Sequence, residues 1–391
     1  MTARDASSVA IPRDVRIQVL AASGAARADA VPVTDERPPE IRHISVSATP
    51  GDRRFVLCFV AALFSCFAVV LLLALLIDPL GSYGTGLTPP LVPNDRDAKA
   101  IAYARLSPRP TAVILGSSRV MKIPPACLQT IVGMRVFNFG LNSARAEDDL
   151  AVWRFVQSQG TVHQVLIGLD PEALHNSVGP DDRLLRSRRL APFVDPTLRP
   201  HPLARLYRGG VEALRGETFT ASLRSIWFVL TGRRPEAAYV FDSTGFVHLA
   251  REGQVGDTHY EPAPHVEASV ILYRQRYEGF SALSGRRMAA LIELLDRARA
   301  AGARVDAFIP PLHPALVSAM ARTTLAERTR ETEDLLSDFD KRGLLHFTRL
   351  PTLASFGGDP ALYFDGAHMM EANAVRLLRA VYGDSTACAV Q

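Results

Sequence analysis

The sequence predicts an α/β fold with a parallel central sheet. From residue 111 onward, short apolar runs bounded by turn residues alternate with amphipathic stretches of helical period, which is the pattern of repeated βαβ units. The first of these runs stops abruptly at Gly116-Ser117-Ser118, as a buried strand does when it turns sharply. A chain of 391 residues has room for one large domain of this kind plus appendages, and a hydrophobic content of 48% excludes wholesale disorder.

The periodicity assigns five strands and four long helices to this domain. The strands are expected at 111–116, 134–139, 163–169, 303–309 and 344–349. The helices are expected at 144–158, 284–301, 314–341 and 370–382.

Residues 55–77 predict a transmembrane helix. This segment has no charged residue, and its 23 residues would form a helix about 34 Å long, against a hydrocarbon core of about 30 Å. Residues 1–54 have no apolar period and predict a disordered tail. A cleavable signal peptide is the less favoured interpretation, because the apolar segment begins late and is too long for one.

Flanking charge predicts the orientation of this helix. Arg42, Arg53 and Arg54 precede it closely, whereas no basic residue occurs between Asp78 and Asn94. By the positive-inside rule, the tail is then cytoplasmic and everything after Asp78 lies outside. Residues 78–110 contain several Pro and Gly and predict a stalk with a first short helix, ahead of the main domain at 111–386.

An insertion at about 175–280 interrupts the regular alternation. The turn signal Asp242-Ser-Thr-Gly245 lies between two apolar runs and predicts a hairpin. The stretch 183–234 carries eleven arginines against three acids and includes the apolar run Ser225-Ile-Trp-Phe-Val-Leu230. Two interpretations remain open for this stretch: contact with anionic lipid headgroups, or a solvated helix whose apolar face lies in the core.

Charge and cysteine content limit the function classes. The net charge is +4 and the pI about 9.0, but the predicted location outside the membrane disfavours nucleic-acid binding. Of four cysteines, Cys58 and Cys66 fall in the apolar segment, so Cys127 and Cys388 are the only pair that could bridge, and spacing alone leaves this open. No Cys/His cluster has metal-ligand spacing, and we expect no metal and no cofactor.

Ser118, Asp365 and His368 are the candidate catalytic residues. Ser118 follows the first strand, and parallel sheets bind ligands at the carboxyl ends of their strands. A hydroxyl becomes a nucleophile only beside an oriented base, and Asp365-x-x-His368 could deliver carboxylate and imidazole from one loop. The order Ser, Asp, His then makes a triad.

These motifs resemble the SGNH (GDSL-like) hydrolase superfamily. Gly116-x-Ser118 matches its first block, and Asp365-x-x-His368 matches its last block. The run from Val136 to Asn142, Val-Phe-Asn-Phe-Gly-Leu-Asn, matches the second block and points to Gly140 as an oxyanion-hole donor with Ser118. The resemblance implies a flavodoxin-like three-layer sandwich with a parallel central sheet.

The third SGNH block is altered in this chain. It is usually Gly-x-Asn, but here it reads Gly168-Leu169-Asp170, so a carboxylate replaces the amide donor. An ionised Asp170 facing a developing oxyanion would raise the barrier, so either Asp170 is turned away or protonated, or Asn142 supplies the amide. An α/β-hydrolase elbow is disfavoured, because it needs Gly where this chain has Val120.

Two further residues are candidates for substrate contact. Arg119 could bind an anionic group beside the nucleophile, although a surface arginine near a helix start is an equal alternative. His313 follows the strand at 303–309 at the same edge of the sheet and could line the pocket, although such a histidine is more often a satisfied loop residue.

The layout as a whole resembles proteins that act outside the cytoplasm in O-acylation of cell-envelope polymers. This implies acyl transfer or ester hydrolysis on an acylated envelope polysaccharide, by a protein of the bacterial inner membrane with a periplasmic domain. A transferase would receive its acyl group through a multi-spanning membrane O-acyltransferase as partner. The alternative is a non-catalytic polysaccharide-binding or scaffold subunit of an export assembly, which the carboxylate of Asp170 keeps open.

Overall fold

The computed structural model covers the chain with gaps. The residues it describes are 50–79, 87–88, 91, 94–199, 201–233, 239–249, 263–383 and 388. The chain divides into two units, 1–58 and 59–391, and the described part of the first unit is the start of a helix. The predicted disordered tail lies outside the described residues for all but its last five positions, and part of the predicted stalk also lies outside them.

Helix α1 (Pro50–Ile77) contains the apolar segment predicted to span a membrane. Its stretch Gly51–Ile77 has a mean hydropathy of 3.0 and is long and apolar enough to cross a bilayer. The helix begins five residues before the apolar run. A single helix of this kind near the amino terminus is consistent with a single-pass anchor or with a signal sequence.

Five parallel strands form the central sheet, as predicted, with slightly shorter bounds. They are β1 (Ala112–Gly116), β2 (Val136–Asn138), β3 (Gln164–Gly168), β6 (Arg304–Phe308) and β7 (His346–Phe347). Their order is β2-β1-β3-β6-β7, which becomes the doubly wound order 2-1-3-4-5 when the separate hairpin is left out. The order reverses between β1 and β3, and the carboxyl ends of these two strands meet there.

Alternating side chains of the strands build two cores, one on each face of the sheet. Val113 and Leu115 of β1 belong to the core on one face of the sheet, whereas Ala112 and Ile114 belong to the core on the other face. Residues of a strand point to opposite faces in turn, so a strand that is apolar throughout requires helices on both sides. The three-layer arrangement of helix, sheet and helix follows from this pattern.

Besides the five parallel strands, the described residues contain twelve α-helices, α1 among them, and one hairpin. The helices after α1 are α2 (Asp95–Arg105), α3 (Pro125–Val132), α4 (Ala146–Gln159), α5 (Asp182–Arg186), α6 (Pro202–Ala213), α7 (Gly216–Thr231), α8 (Ala263–Tyr277), α9 (Gly285–Ala300), α10 (Pro314–Ala319), α11 (Leu325–Lys341) and α12 (Glu371–Tyr382). The hairpin pairs β4 (Tyr239–Phe241) with β5 (Val247–Leu249) in antiparallel register around the predicted turn.

The prediction of a single helix at 314–341 is wrong, because two helices, α10 and α11, occupy this range. Two threonines, Thr323 and Thr324, precede α11. The Thr323 hydroxyl donates to the carbonyl of Met320 at 2.7 Å and accepts the N–H of Leu325 at 3.3 Å. A threonine side chain that bonds to nearby backbone groups competes with the helical ladder, and here it ends one helix and starts the next.

A disulfide joins Cys127 to Cys388, the pair that the sequence left open. Cys127 lies in α3, and Cys388 follows α12, so the bond closes 261 residues of separation. Cys58 and Cys66 are exposed free cysteines within α1. The disulfide therefore links Cys388, after α12, to α3, the first α-helix after β1.

We expect Cys127→Ser to lower the free energy of unfolding by about 2–4 kcal/mol, because a bond across a long separation restricts the unfolded chain. Urea denaturation followed by intrinsic fluorescence measures this loss. Cys66→Ser is the matched control and should leave the midpoint unchanged. Four reactive thiols in the unreduced, denatured protein would contradict the bond.

Candidate active site

Two glycines let the chain turn at the edge of the sheet where β1 and β3 end. Gly116 and Gly168 are paired in the parallel register. Gly116 has a φ of 133°, and a Cβ there would lie 2.4 Å from the carbonyl oxygen of Gly168, so a larger residue is excluded. The next residues form a short 3-10 turn that begins at Ser118, and Ser117 caps it by accepting the N–H of Arg119 at 3.2 Å.

The structure brings Ser118, His368 and Asp365 together in one hydrogen-bonded chain. The Oγ of Ser118 lies 2.9 Å from Nε2 of His368. Nδ1 of His368 lies 2.8 Å from Oδ2 and 3.0 Å from Oδ1 of Asp365. A proton on Nδ1, held by the carboxylate, leaves Nε2 free to accept the serine proton, which is the arrangement of a general base.

His368 and two backbone N–H groups hold the Asp365 carboxylate in its charged form. Burial alone would raise the pKa of Asp365, but the hydrogen bond and charge of His368 and two backbone N–H groups lower it to about 2. Those N–H groups belong to Ala367 and His368 and donate to Oδ1 at 2.7 and 2.9 Å. The carboxylate therefore stays ionised near neutral pH, where it can stabilise an imidazolium.

Two of the expected oxyanion donors, Gly140 and Asn142, make hydrogen bonds to other residues. The N–H of Gly140 donates to Oδ1 of Asn138 at 2.7 Å, and the N–H of Asn142 donates to Oδ2 of Asp95 at 2.5 Å. The side chain of Asn142 accepts from the Ser143 hydroxyl at 3.1 Å and is hydrogen-bonded to Tyr239. Neither Gly140 nor Asn142 lies among the residues that line the pocket at Ser118.

Ser143 lies in that pocket instead, and sequence reasoning missed it. It has a φ of 54°, in the left-handed region that is uncommon for a residue other than glycine. The loop that carries it is held by a buried guanidinium: Arg96 donates to the carbonyl of Asn142 at 3.2 Å and to Asp148 at 2.8 Å. The run Leu-Asn-Ser-Ala after a strand gave no signal for this conformation.

Arg119 is buried and holds acidic residues rather than facing solvent. Its guanidinium lies 2.9 Å from Oδ1 of Asp170, donates to Glu172 at 2.7 Å, and donates to the hydroxyl of Tyr273 at 2.6 Å. Only 4% of its side chain is exposed. Its hydrogen-bonding groups are therefore engaged within the protein, so Arg119 is not the surface arginine of the alternative interpretation. It does line the pocket at Ser118, and its contact with substrate stays a prediction.

Asp170, two residues after β3, is buried beside Arg119. Burial raises the pKa of Asp170 to about 6, although the charge of Arg119 acts in the opposite direction. Its carboxyl lines the same pocket as Ser118 and lies close enough to His368 for their charges to interact. This carboxyl therefore changes charge in the neutral range, next to the candidate nucleophile.

His313 does not line the pocket at Ser118. Its Nδ1 accepts the N–H of Ala315 at 3.1 Å and so caps α10, and its ring packs edge-on against Tyr363. Its backbone N–H donates to the carbonyl of Gly366 at 2.9 Å. His313 thus supports the loop that carries Asp365 and His368, from outside the pocket.

The pocket at Ser118 is small and polar. Its volume is about 210 Å³, and charged side chains of both signs line it, among them Arg145, Asp170, Glu172, Arg276 and Glu278. A larger pocket of about 680 Å³ beyond β6 and β7 is lined mainly by apolar side chains, and Ser118 is not among them. Within the described residues, no cluster of three or more His, Cys, Asp or Glu side chains could hold a metal ion.

A scan against protein-family models finds no match to this chain, and a search of curated proteins finds no significant relative. The findings thus establish an α/β protein with a parallel five-stranded sheet and one apolar amino-terminal helix, and they identify no family. The chemistry must therefore be argued from the geometry of the site.

The charge of Asp170 should tune the reactivity of Ser118 toward a fluorophosphonate. Protonation below pH 6 removes a negative charge beside the developing oxyanion, whereas Asp170→Asn is neutral at every pH. The ratio of wild-type to Asp170→Asn labelling rates should therefore be highest at pH 5 and fall by about ten-fold, or about 1.4 kcal/mol, toward pH 8.

The comparison cancels the pH dependence of the probe, because both proteins react with the same reagent. Asp338→Asn, which removes a carboxyl that is 59% exposed on α11, is the matched control and should give a flat ratio. A flat ratio for Asp170→Asn as well would contradict the expected effect of the Asp170 charge on the reactivity of Ser118.

Proposed function

We propose that this protein is a serine-dependent enzyme that transfers or hydrolyses an acyl group on a cell-envelope polysaccharide or a related polymer. We further propose that it is an SGNH-like hydrolase anchored in the bacterial inner membrane. The observation that carries the proposal is the hydrogen-bonded chain from Ser118 through His368 to Asp365. Such a chain activates a hydroxyl for covalent catalysis.

The proposed reaction has two half-reactions. The Oγ of Ser118 attacks the acyl carbonyl while Nε2 of His368 takes the serine proton, and Asp365 stabilises the imidazolium. When the tetrahedral intermediate collapses, His368 returns that proton to the oxygen of the leaving alcohol, and the acyl group remains on Ser118. Water or a sugar hydroxyl then attacks the acyl-enzyme, giving hydrolysis or transfer by the same steps.

The backbone N–H groups of Ser118 and Ser143 are the proposed oxyanion donors. Both residues line the small pocket, whereas the N–H groups of Gly140 and Asn142 donate to other residues. Each donor directed at an oxyanion is worth about 2.7–4 kcal/mol of barrier. No cofactor enters this mechanism.

The pocket supports a short acyl group and a hydrophilic acceptor. A volume of about 210 Å³ with charged walls suits an acetyl-sized group on a sugar better than a long alkyl chain. His368 has 36% of its side chain exposed, so a polymer chain can approach the base from solvent.

The proposed location outside the cytoplasm is supported by two features. Helix α1 is apolar enough to anchor the chain, and the Cys127–Cys388 disulfide suits an oxidising compartment such as the periplasm. With the amino terminus in the cytoplasm, the domain would lie in the periplasm. As a transferase, it would depend on a multi-spanning membrane O-acyltransferase to deliver acyl groups from inside.

Labelling of the purified protein by a fluorophosphonate tests the nucleophile. We expect one labelled site, lost in Ser118→Ala, because the Ser118 hydroxyl contacts an imidazole that a carboxylate orients. Asp365→Asn should slow labelling by about 10⁴-fold, since the wrong histidine tautomer then faces the serine. Ser117→Ala is the matched control and should still label, and labelling that survives in Ser118→Ala would refute the nucleophile.

The second candidate is a polysaccharide-binding or scaffold subunit without catalysis. The engaged N–H groups of Gly140 and Asn142 and the carboxyl of Asp170 favour it. Such a subunit would resist the probe yet bind the polymer equally well with Ser118 or alanine. Loss of polymer O-acyl groups in a strain that carries only Ser118→Ala would instead support the enzyme.

A further inference from the structure

Helix α7 is amphipathic, but its polar face is buried and its apolar face is exposed, which is the reverse of a helix that packs on a core. Its buried face carries small polar side chains, Thr218, Ser222 and Ser225. Two of these hydroxyls bond locally: Thr218 donates to the carbonyl of Glu212 at 2.7 Å, and Ser222 donates to that of Thr218 at 2.8 Å. The opposite face of the helix is apolar and open to solvent.

Exposed apolar side chains form stripes on two consecutive helices, α6 and α7. On α7 it consists of Leu223, Trp227 and Leu230, which are 47%, 47% and 80% exposed. On α6 it consists of Leu203 and Tyr207, which are 69% and 74% exposed. Residues spaced three or four apart share one side of a helix, so each set forms a continuous stripe. We call the two stripes together the apolar face of α6–α7.

Arginines border this face. Arg224 lies over the ring of Phe228, with its Cζ 5.4 Å from the ring centroid, and Arg233 lies over the ring of Trp227 at 5.3 Å. Both arginines are exposed, as is Arg215 between the helices. Glu212, one of the three acids of the stretch 183–234, is 3.3 Å from Arg186 and so is already paired.

We propose that the apolar face of α6–α7 lies in the headgroup region of an anionic lipid bilayer. A tryptophan and leucines flanked by arginines form the side-chain set of helices that lie in the plane of a membrane surface. The arginine excess is complementary to anionic headgroups. A second copy of this chain fits less well, because a two-fold contact through this face would bring the arginines of both copies together.

This inference rests on the proposed membrane anchor and is independent of the proposed chemistry. Anchoring by α1 would keep the domain near a bilayer, where even a small amphipathic surface can bind, since tethering makes the second contact intramolecular. It also chooses between the two interpretations of the stretch 183–234. The solvated-helix interpretation requires the apolar side chains of α7 in the core, whereas Trp227 and Leu230 are exposed.

The two tryptophans of the chain allow a direct test in the full-length protein. Trp153 of α4 is fully buried in the core, whereas Trp227 belongs to the exposed face. The full chain is reconstituted into vesicles of phosphatidylcholine, with or without phosphatidylglycerol, in which part of the phosphatidylcholine is brominated in its acyl chains. Bromine quenches tryptophan only at close range, and Trp227→Phe reports the contribution of Trp153 alone.

We expect about a two-fold loss of Trp227 emission in vesicles with phosphatidylglycerol, and a smaller loss without it. The emission of Trp227→Phe should not change. Leu223→Ser with Leu230→Ser should abolish the quenching, and Arg224→Gln with Arg233→Gln should reduce it in the anionic vesicles to the level seen without phosphatidylglycerol. Ile271→Ser with Leu272→Ser is the matched control, because these α8 side chains are 63% and 45% exposed elsewhere, and it should leave the quenching intact.

Each other outcome overturns the proposal in a distinguishable way. A chain that floats with the vesicles while its Trp227 remains unquenched keeps the anchor and refutes the docking. Equal quenching in both lipid mixtures refutes the role of the arginines. Shielding of Trp227 that rises with protein concentration and resists bromine indicates a second copy as the occupant. A chain that floats with neither mixture refutes both the anchor and the docking.

Discussion

The structure around the candidate site depends on one buried cation. The guanidinium of Arg119, directly after Ser118, is almost removed from water, and a charge in that position is tolerated only when it is paired and hydrogen-bonded. Asp170 and Glu172 after β3 and Tyr273 of α8 supply the partners. One side chain thus joins the nucleophile turn, the neighbouring strand end and the insertion, so none of the three can move independently.

This constraint explains a carboxylate at position 170. Arg119 needs acidic partners, and an asparagine there would supply only a neutral carbonyl oxygen, so the charge of Asp170 serves the buried cation. Ser143, the second donor in the proposed mechanism, also lines this pocket. Arg96 holds the loop of Ser143 through the carbonyl of Asn142, so a second buried arginine fixes that part of the pocket.

The sequence predicted what short-range pattern determines and missed what partners determine. The five strands followed from apolar runs between turns, and the meeting of Ser118 with His368 followed from strand ends that share one edge of a sheet. The hydrogen bond of the Gly140 N–H could not be predicted, because it depends on where the Asn138 side chain lies. Oδ1 of Asn138 accepts this N–H, and its Nδ2 donates to the carbonyls of Val120 and Ile123. The burial of Arg119 depended in the same way on acids and a tyrosine from distant elements.

The insertion illustrates a further limit, because a helical apolar period indicates that one face avoids water but not what covers that face. In α4 the period and burial agree, and Leu150 and Trp153 lie in the core. In α7 the apolar stripe is exposed while Ser222 and Ser225 are buried, so the helix is positioned by small residues that allow close approach. The same insertion also supplies Tyr273, which bonds to Arg119 and lines the pocket at Ser118, so one inserted segment carries both an exposed apolar helix and a buried contact of the site.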